Sequence, residues 1–84
     1  MTDNSLFILD DDAPLRTRLR RAMETRGFEV MDAGSVADGI DIVRKTPPAF
    51  AVLDMKLEDG TGLSLVSELR AKRPECRIVM LTGF

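Results

Sequence analysis

Apolar and polar positions fall along this chain in blocks, and the blocks predict a repeating strand–helix order. Leu6 to Leu9 is a short apolar run that stops at Asp10, Asp11 and Asp12, as a buried parallel strand does on reaching the edge of its sheet. Asp12 then predicts a helix cap, Pro14 suits the first turn, and Leu15, Leu19, Ala22 and Met23 recur at helical spacing until Gly27 ends the stripe. Phe28 to Ala33 alternates imperfectly, with Phe28, Val30 and Ala33 apolar but Glu29 and Asp32 polar, the pattern of an edge strand. Ser35 with Asp38 reads as a capping box, and Val36, Ile40 and Val43 mark a second helix that ends before Thr46, Pro47 and Pro48. Phe50 to Leu53 is a second uninterrupted apolar run, closed by Asp54. Glu58 to Gly62 reads as a turn, and Leu63, Val66 and Leu69 define a third helix ending near Lys72, Arg73 and Pro74. Ile78 to Leu81 is the last apolar run, ended by Thr82, Gly83 and Phe84.

The order βαβαβαβ implies an α/β layer fold with right-handed crossovers, the fully apolar strands central and the half-polar second strand at an edge. The expected strand order is 2-1-3-4. In open sheets of this kind ligands sit in the crevice outside the carboxyl ends of the strands, where the chain reverses its direction of travel across the sheet. Asp10 and Asp11 end the first strand, Asp54 the third and Thr82 the fourth, so these side chains are predicted to converge on one edge.

Composition narrows the chemistry. With 84 residues, 44% hydrophobic and 31% charged, the chain is one small folded domain with a thin core. A net charge of −2 gives no general case for binding nucleic acid or an anionic membrane. There is no His, which excludes a His-based triad, a zincin helix or a phosphohistidine, so any histidine chemistry belongs to a partner. The single Cys76 lacks both a disulfide partner and a zinc-ligand spacing and reads as a small half-buried hydrophobe; a reducing, cytoplasmic setting is expected. Neither a signal peptide nor a membrane span is legible after Met1, Thr2, Asp3 and Asn4. Arg16, Arg18, Arg20, Arg21 and Arg26 read as a solvated helix face, with Glu24 pairing Arg20 at i+4; a docking surface for an acidic partner is the alternative. Gly60 and Gly62 lack a P-loop context and read as turn and helix-entry glycines.

Acids commonly end strands and cap helices, and capping accounts for Asp12. Asp10 and Asp11 facing Asp54 is different, because three apposed carboxylates repel one another and serve no stabilising purpose of their own. A hard divalent cation resolves the conflict, and an oxygen-only ligand set favours Mg²⁺. A metal-held phosphoryl donor beside a carboxylate then suggests in-line attack on phosphorus and an acyl phosphate, with Thr82 giving its hydroxyl hydrogen to a phosphoryl oxygen.

These residues resemble a response-regulator receiver domain of two-component systems. The resemblance rests on Leu6 to Asp11, on Leu53 and Asp54 followed by Asp59, Gly60 and Gly62, and on Ile78 to Thr82, and covers essentially the whole chain. The stretches Asp10-Asp11-Asp12-Ala13-Pro14 and Leu57-Glu58-Asp59-Gly60-Thr61-Gly62-Leu63 are most similar to the redox-responsive RegA, PrrA and ActR group of bacterial transcriptional regulators. The resemblance implies a flavodoxin-like (CheY-like) parallel sheet, with Asp54 as phosphoacceptor and Thr82 as the hydroxyl beside it. It also implies Mg²⁺ held by Asp10, Asp11, Asp54 and the backbone carbonyl of Lys56. The implied partner is a sensor histidine kinase, and the domain is a phosphoacceptor in a phosphorelay rather than an enzyme. DNA would be reached only through a C-terminal helix-turn-helix domain absent from residues 1–84. Two departures stand out. Glu58 occupies a position where most receivers have Pro, and the family's fourth helix, fifth strand with its Lys, and fifth helix are missing, so residues 1–84 correspond to the N-terminal portion of a receiver. Without them the last strand is expected to be an open apolar edge that favours self-association. The alternatives are a pseudo-receiver acting as a phosphorylation-independent interaction or dimerisation module, and a fragment of a haloacid-dehalogenase-type phosphotransferase, whose pattern Asp10-x-Asp12 with Thr82 mimics.

Overall fold

A computed structural model describes residues 3–57 and 59–81. Five strands and helices of the first half follow the apolar blocks closely: β1 (Ser5–Leu9), α1 (Ala13–Thr25), β2 (Glu29–Ala33), α2 (Val36–Lys45) and β3 (Phe50–Asp54). The segment expected as a plain turn forms a minimal antiparallel ribbon, β4 (Lys56–Leu57) against β5 (Gly60–Thr61), in which Lys56 faces Thr61. Helix α3 (Leu63–Lys72) and β6 (Arg77–Leu81) follow. The main sheet is wholly parallel in the order β2-β1-β3-β6, which is the expected 2-1-3-4 once the ribbon is set aside.

The period-2 geometry of β1 divides the core between two faces. Phe7 and Leu9 point to one side, where Ala51 and Leu53 of β3 join Val36 and Val43 of α2, Leu65 and Leu69 of α3, and Cys76. Leu6 and Ile8 point to the other, where Val30 and the partly buried Leu19 and Met23 of α1 close over them. Phe28 and Phe50 meet edge to face on that side with ring centroids 5.5 Å apart. Gly39 sits within the inner stripe of α2 because a Cβ there would stand 3.1 Å from the Phe7 ring and 3.3 Å from Leu9 Cδ1. The missing side chain lets the helix lie close on β1.

Several side chains depart from the sequence pattern. Leu15, expected in the buried stripe of α1, is 37% exposed, and that helix carries no fully buried residue; of its apolar side chains Leu19 and Met23 pack on the sheet. Leu63 is exposed, while Leu65, not singled out by spacing, is fully buried beside Leu69. The helix begins at Leu63 after the cap Gly62, and 65, 66 and 69 share its inner face while 63 falls outside it. Cys76 is fully rather than half buried, and burial pushes its thiol up.

Candidate functional site

Each acid of the site is delivered by a strand end. Leu9 is the last residue of β1, and the next amide, of Asp10, still donates to Ala33 on β2 at 3.1 Å, so the ladder holds Asp10 at the sheet's carboxyl edge. The Asp10 side chain folds back over the following turn, where its Oδ1 accepts from the Asp12 amide at 2.9 Å. Asp12 looks the other way and caps α1, its carboxylate accepting from the Leu15 amide at 3.1 Å as the sequence predicts. Asp54 ends β3, and its Oδ1 accepts from the Lys56 amide at 3.1 Å, which turns the chain into the ribbon.

One carboxylate oxygen from each of Asp10, Asp11 and Asp54 lies within 4.8 Å of the others. Asp10 is only 4% exposed, Asp54 half-buried and Asp11 exposed, so the cluster runs from the edge of the core out to water. Among the described residues no cationic side chain forms an ion pair with any of the three. Burial raises the Asp10 carboxyl above the usual range, the charges of Asp54, Asp11 and Asp12 raise it further, and the hydrogen bond from the Asp12 amide works against them. Three hard oxygen donors with no paired cation fit a hydrated divalent ion such as Mg²⁺. Lys56 lies two residues beyond Asp54 in β4, its side chain exposed. Thr82 and Glu58 lie outside the described residues.

Glycine makes the site possible at Gly62. Its Cα lies so close to the main-chain carbonyl of Asp54 that a Cβ would collide with that oxygen, so a larger residue would push α3 away from the strand end.

Two parts of this region escaped the sequence reading. Asp59 reaches from the ribbon to α2, accepting from the amides of Val36 at 2.9 Å and Ala37 at 3.2 Å. Arg16 of α1 donates to the Asp10 carbonyl at 2.7 Å and to Asp32 at 2.8 Å. The polar Asp32 interrupting an edge strand, followed by Gly34, was the available signal for the second. For Asp59 nothing local announced a partner more than twenty residues away.

The sequence matches the response regulator receiver domain family over residues 6–84. Among curated proteins it is 55% identical over 82 residues to the photosynthetic apparatus regulatory protein RegA of Cereibacter sphaeroides, covering 98% of this chain and 45% of that one. It is 48% identical to the acid tolerance regulatory protein ActR of Rhizobium meliloti, covering 98% of this chain and 42% of the relative. The chain thus spans less than half the length of these relatives. Among solved structures, a response regulator from Burkholderia pseudomallei with a phosphorylated aspartic acid, calcium ion and citrate superposes with a TM-score of 0.91 at 29% identity. That match covers 98% of this chain and 48% of the other.

Proposed function

The chain belongs to the response regulator receiver domain family, related to the bacterial transcription regulators RegA and ActR, and from that premise we propose that Asp54 accepts a phosphoryl group from a phosphohistidine of a partner sensor kinase. The observation that carries this reading is the meeting of Asp10, Asp11 and Asp54 at the carboxyl edge of the sheet, each offering an oxygen within 4.8 Å of the others. An Asp54 carboxylate oxygen attacks phosphorus, the P–N bond to the donor imidazole breaks, and the departing nitrogen keeps the electron pair and takes a proton from water. Asp10 and Asp11, with Asp54 and the Lys56 carbonyl, are the residues that would hold Mg²⁺. When bound, that ion neutralises the carboxylates and the charge developing on the transferred group. The Asp12 amide orients Asp10 and the Lys56 amide orients Asp54, so both carboxylates are aimed before a ligand arrives. The Thr82 hydroxyl is assigned the role of donor to a phosphoryl oxygen. The similar Burkholderia response regulator, which holds a phosphorylated aspartic acid and a calcium ion, supports the same chemistry for this edge.

In this reading residues 1–84 are the N-terminal portion of a receiver, a phosphoacceptor rather than a turnover catalyst, and DNA is contacted by a helix-turn-helix domain outside this chain. The setting is bacterial and cytoplasmic; among the described residues no helix is long and apolar enough to cross a membrane.

The test is labelling of the intact protein by acetyl phosphate with Mg²⁺, followed by trapping of the modified residue. Asp54→Asn is expected to abolish labelling, and Asp10→Asn or Asp11→Asn to shift it to higher Mg²⁺. Undiminished labelling of Asp54→Asn overturns the assignment and favours a pseudo-receiver or an Asp10 nucleophile.

A further inference from the structure

A basic layer lies directly behind the acidic cluster, and the chemistry above leaves it without a role. Arg16 turns from α1 over the end of β1, where Nη1 donates to the main-chain carbonyl of Asp10 at 2.7 Å and Nε to Asp32 Oδ2 at 2.8 Å. Asp32 comes from β2, and its other oxygen accepts from Nη1 of Arg20. The Arg16 and Asp32 side chains are 21% and 19% exposed, so this pair is shielded well beyond an ordinary surface ion pair. Room for the guanidinium comes from Gly34, where a Cβ would stand only 2.7 Å from Arg16 Nη1.

We infer that Arg16 is a positioning residue for the acidic site, acting through the Asp10 peptide and itself aimed by Asp32. Asp10 is held at three points: its amide by Ala33, its Oδ1 by the Asp12 amide, and its carbonyl by Arg16. The first two are local consequences of strand and turn. The third ties the residue to α1 and β2 and sets the tilt of the peptide from which the carboxylate projects. An arginine paired with the carboxylate itself would compete with a cation for the same lone pairs. Placed on the carbonyl, it leaves both carboxylate oxygens free of cationic side chains while putting a positive charge behind the most desolvated acid. The planar fork matters, because one guanidinium spans a carbonyl and a carboxylate that a single ammonium cannot reach with the same geometry.

This inference rests on the reading of the acids as a Mg²⁺ site, and its test separates the two. Mg²⁺ is titrated calorimetrically into the intact protein and its variants, well below their melting temperatures, and melting is recorded without metal. Arg16→Ala is expected to weaken Mg²⁺ binding about tenfold, the scale typical when a group orienting a metal ligand is removed. Arg16→Lys is expected to recover only part of that loss. Gly34→Ala leaves every charge in place and displaces the guanidinium, so it is expected to weaken binding in the same direction. Arg18→Ala, on the exposed side of the same helix, is expected to bind as the unaltered protein does. A lower metal-free melting temperature with unchanged affinity in Arg16→Ala would mark a purely structural contact and overturn the inference. Should that variant not fold, unchanged affinity in Gly34→Ala overturns it instead. Absence of Mg²⁺ binding by the unaltered protein overturns the metal reading and this inference with it.

Discussion

Asp10 is, among the described residues, the charged side chain that the fold withdraws furthest from water. Its ionised form loses hydration and lies in the field of Asp54, Asp11 and Asp12, so its carboxyl is raised above its ordinary value. A carboxyl whose folded value is raised holds its proton more firmly in the native state. Its contribution to stability is complete below the unfolded value and is lost as pH rises through the folded one. Ionised Asp10 is therefore a net burden on the metal-free protein at neutral pH. Asp10→Asn is expected to raise the metal-free melting temperature at pH 7 and to flatten the decline in stability expected as pH rises from the unfolded value through the raised one. Saturating Mg²⁺ is expected to stabilise the unaltered protein more than this variant, by mass action on the native state. Thermal melts across pH, with and without Mg²⁺, measure both. Equal melting curves for the two proteins in metal-free buffer would show that Asp10 is not strained by its neighbours.

Helix α2 shows how an element borrows its end from elsewhere. Ser35 accepts from the Asp38 amide at 3.2 Å, the local half of the cap. The Val36 and Ala37 amides are taken by Asp59, so the ribbon after Asp54 is pinned to the positive end of α2. Those two backbone donors hold the Asp59 carboxyl below its ordinary value, which places its stabilising contribution above the unfolded pKa and removes it as pH falls through the folded one. Asp59→Ala is expected to speed amide hydrogen exchange at Val36 and Ala37 and to lower the melting temperature at pH 7, with the difference from the unaltered protein shrinking in acid. Exchange rates unchanged at both amides would contradict the clasp. Helix α3 depends instead on burial. Leu65 and Leu69 have no exposed surface, and Leu65→Ala is expected to cost about 2–5 kcal/mol in chemical denaturation. Leu63→Ala, at an exposed position, is expected to change stability by less than about 0.5 kcal/mol.

At the scale of the whole molecule the two margins of the sheet differ. Strand β2 carries Glu29, which is exposed, and Asp32, which is engaged with Arg16 and Arg20. Strand β6 pairs only with β3 among the described residues, carries Arg77 as its sole charge, and leaves Val79 56% exposed. Beside it, Leu6, Met23, Phe28, Phe50 and Val52 line an apolar recess of about 280 Å³ with Val79 at its rim. A domain of this size has only about 5–15 kcal/mol to lose, so Leu65→Ala alone removes a large share of its margin.

The sequence by itself determined the four strands of the main sheet, their order and the meeting of Asp10, Asp11 and Asp54, because each follows from a short-range pattern, whereas the ribbon of β4 and β5 reads in sequence as a plain turn. An unbroken apolar run needs cover on both faces, the interrupted run of Phe28 to Ala33 does not, and an acid directly after such a run can stand only at the sheet edge. The caps at Asp12 and Ser35 and the Arg20–Glu24 pair were legible for the same reason, since their partners lie three or four residues away. Tertiary structure alone decided that Leu65 rather than Leu63 enters the core, that Asp59 closes α2, and that Arg16 braces Asp10 from behind. Asp59 meets its partners 22 and 23 residues away and Arg16 meets Asp32 at a separation of 16. Such contacts are set by how the helices lie on the sheet, and a polar residue carries no local mark of the partner that packing brings to it.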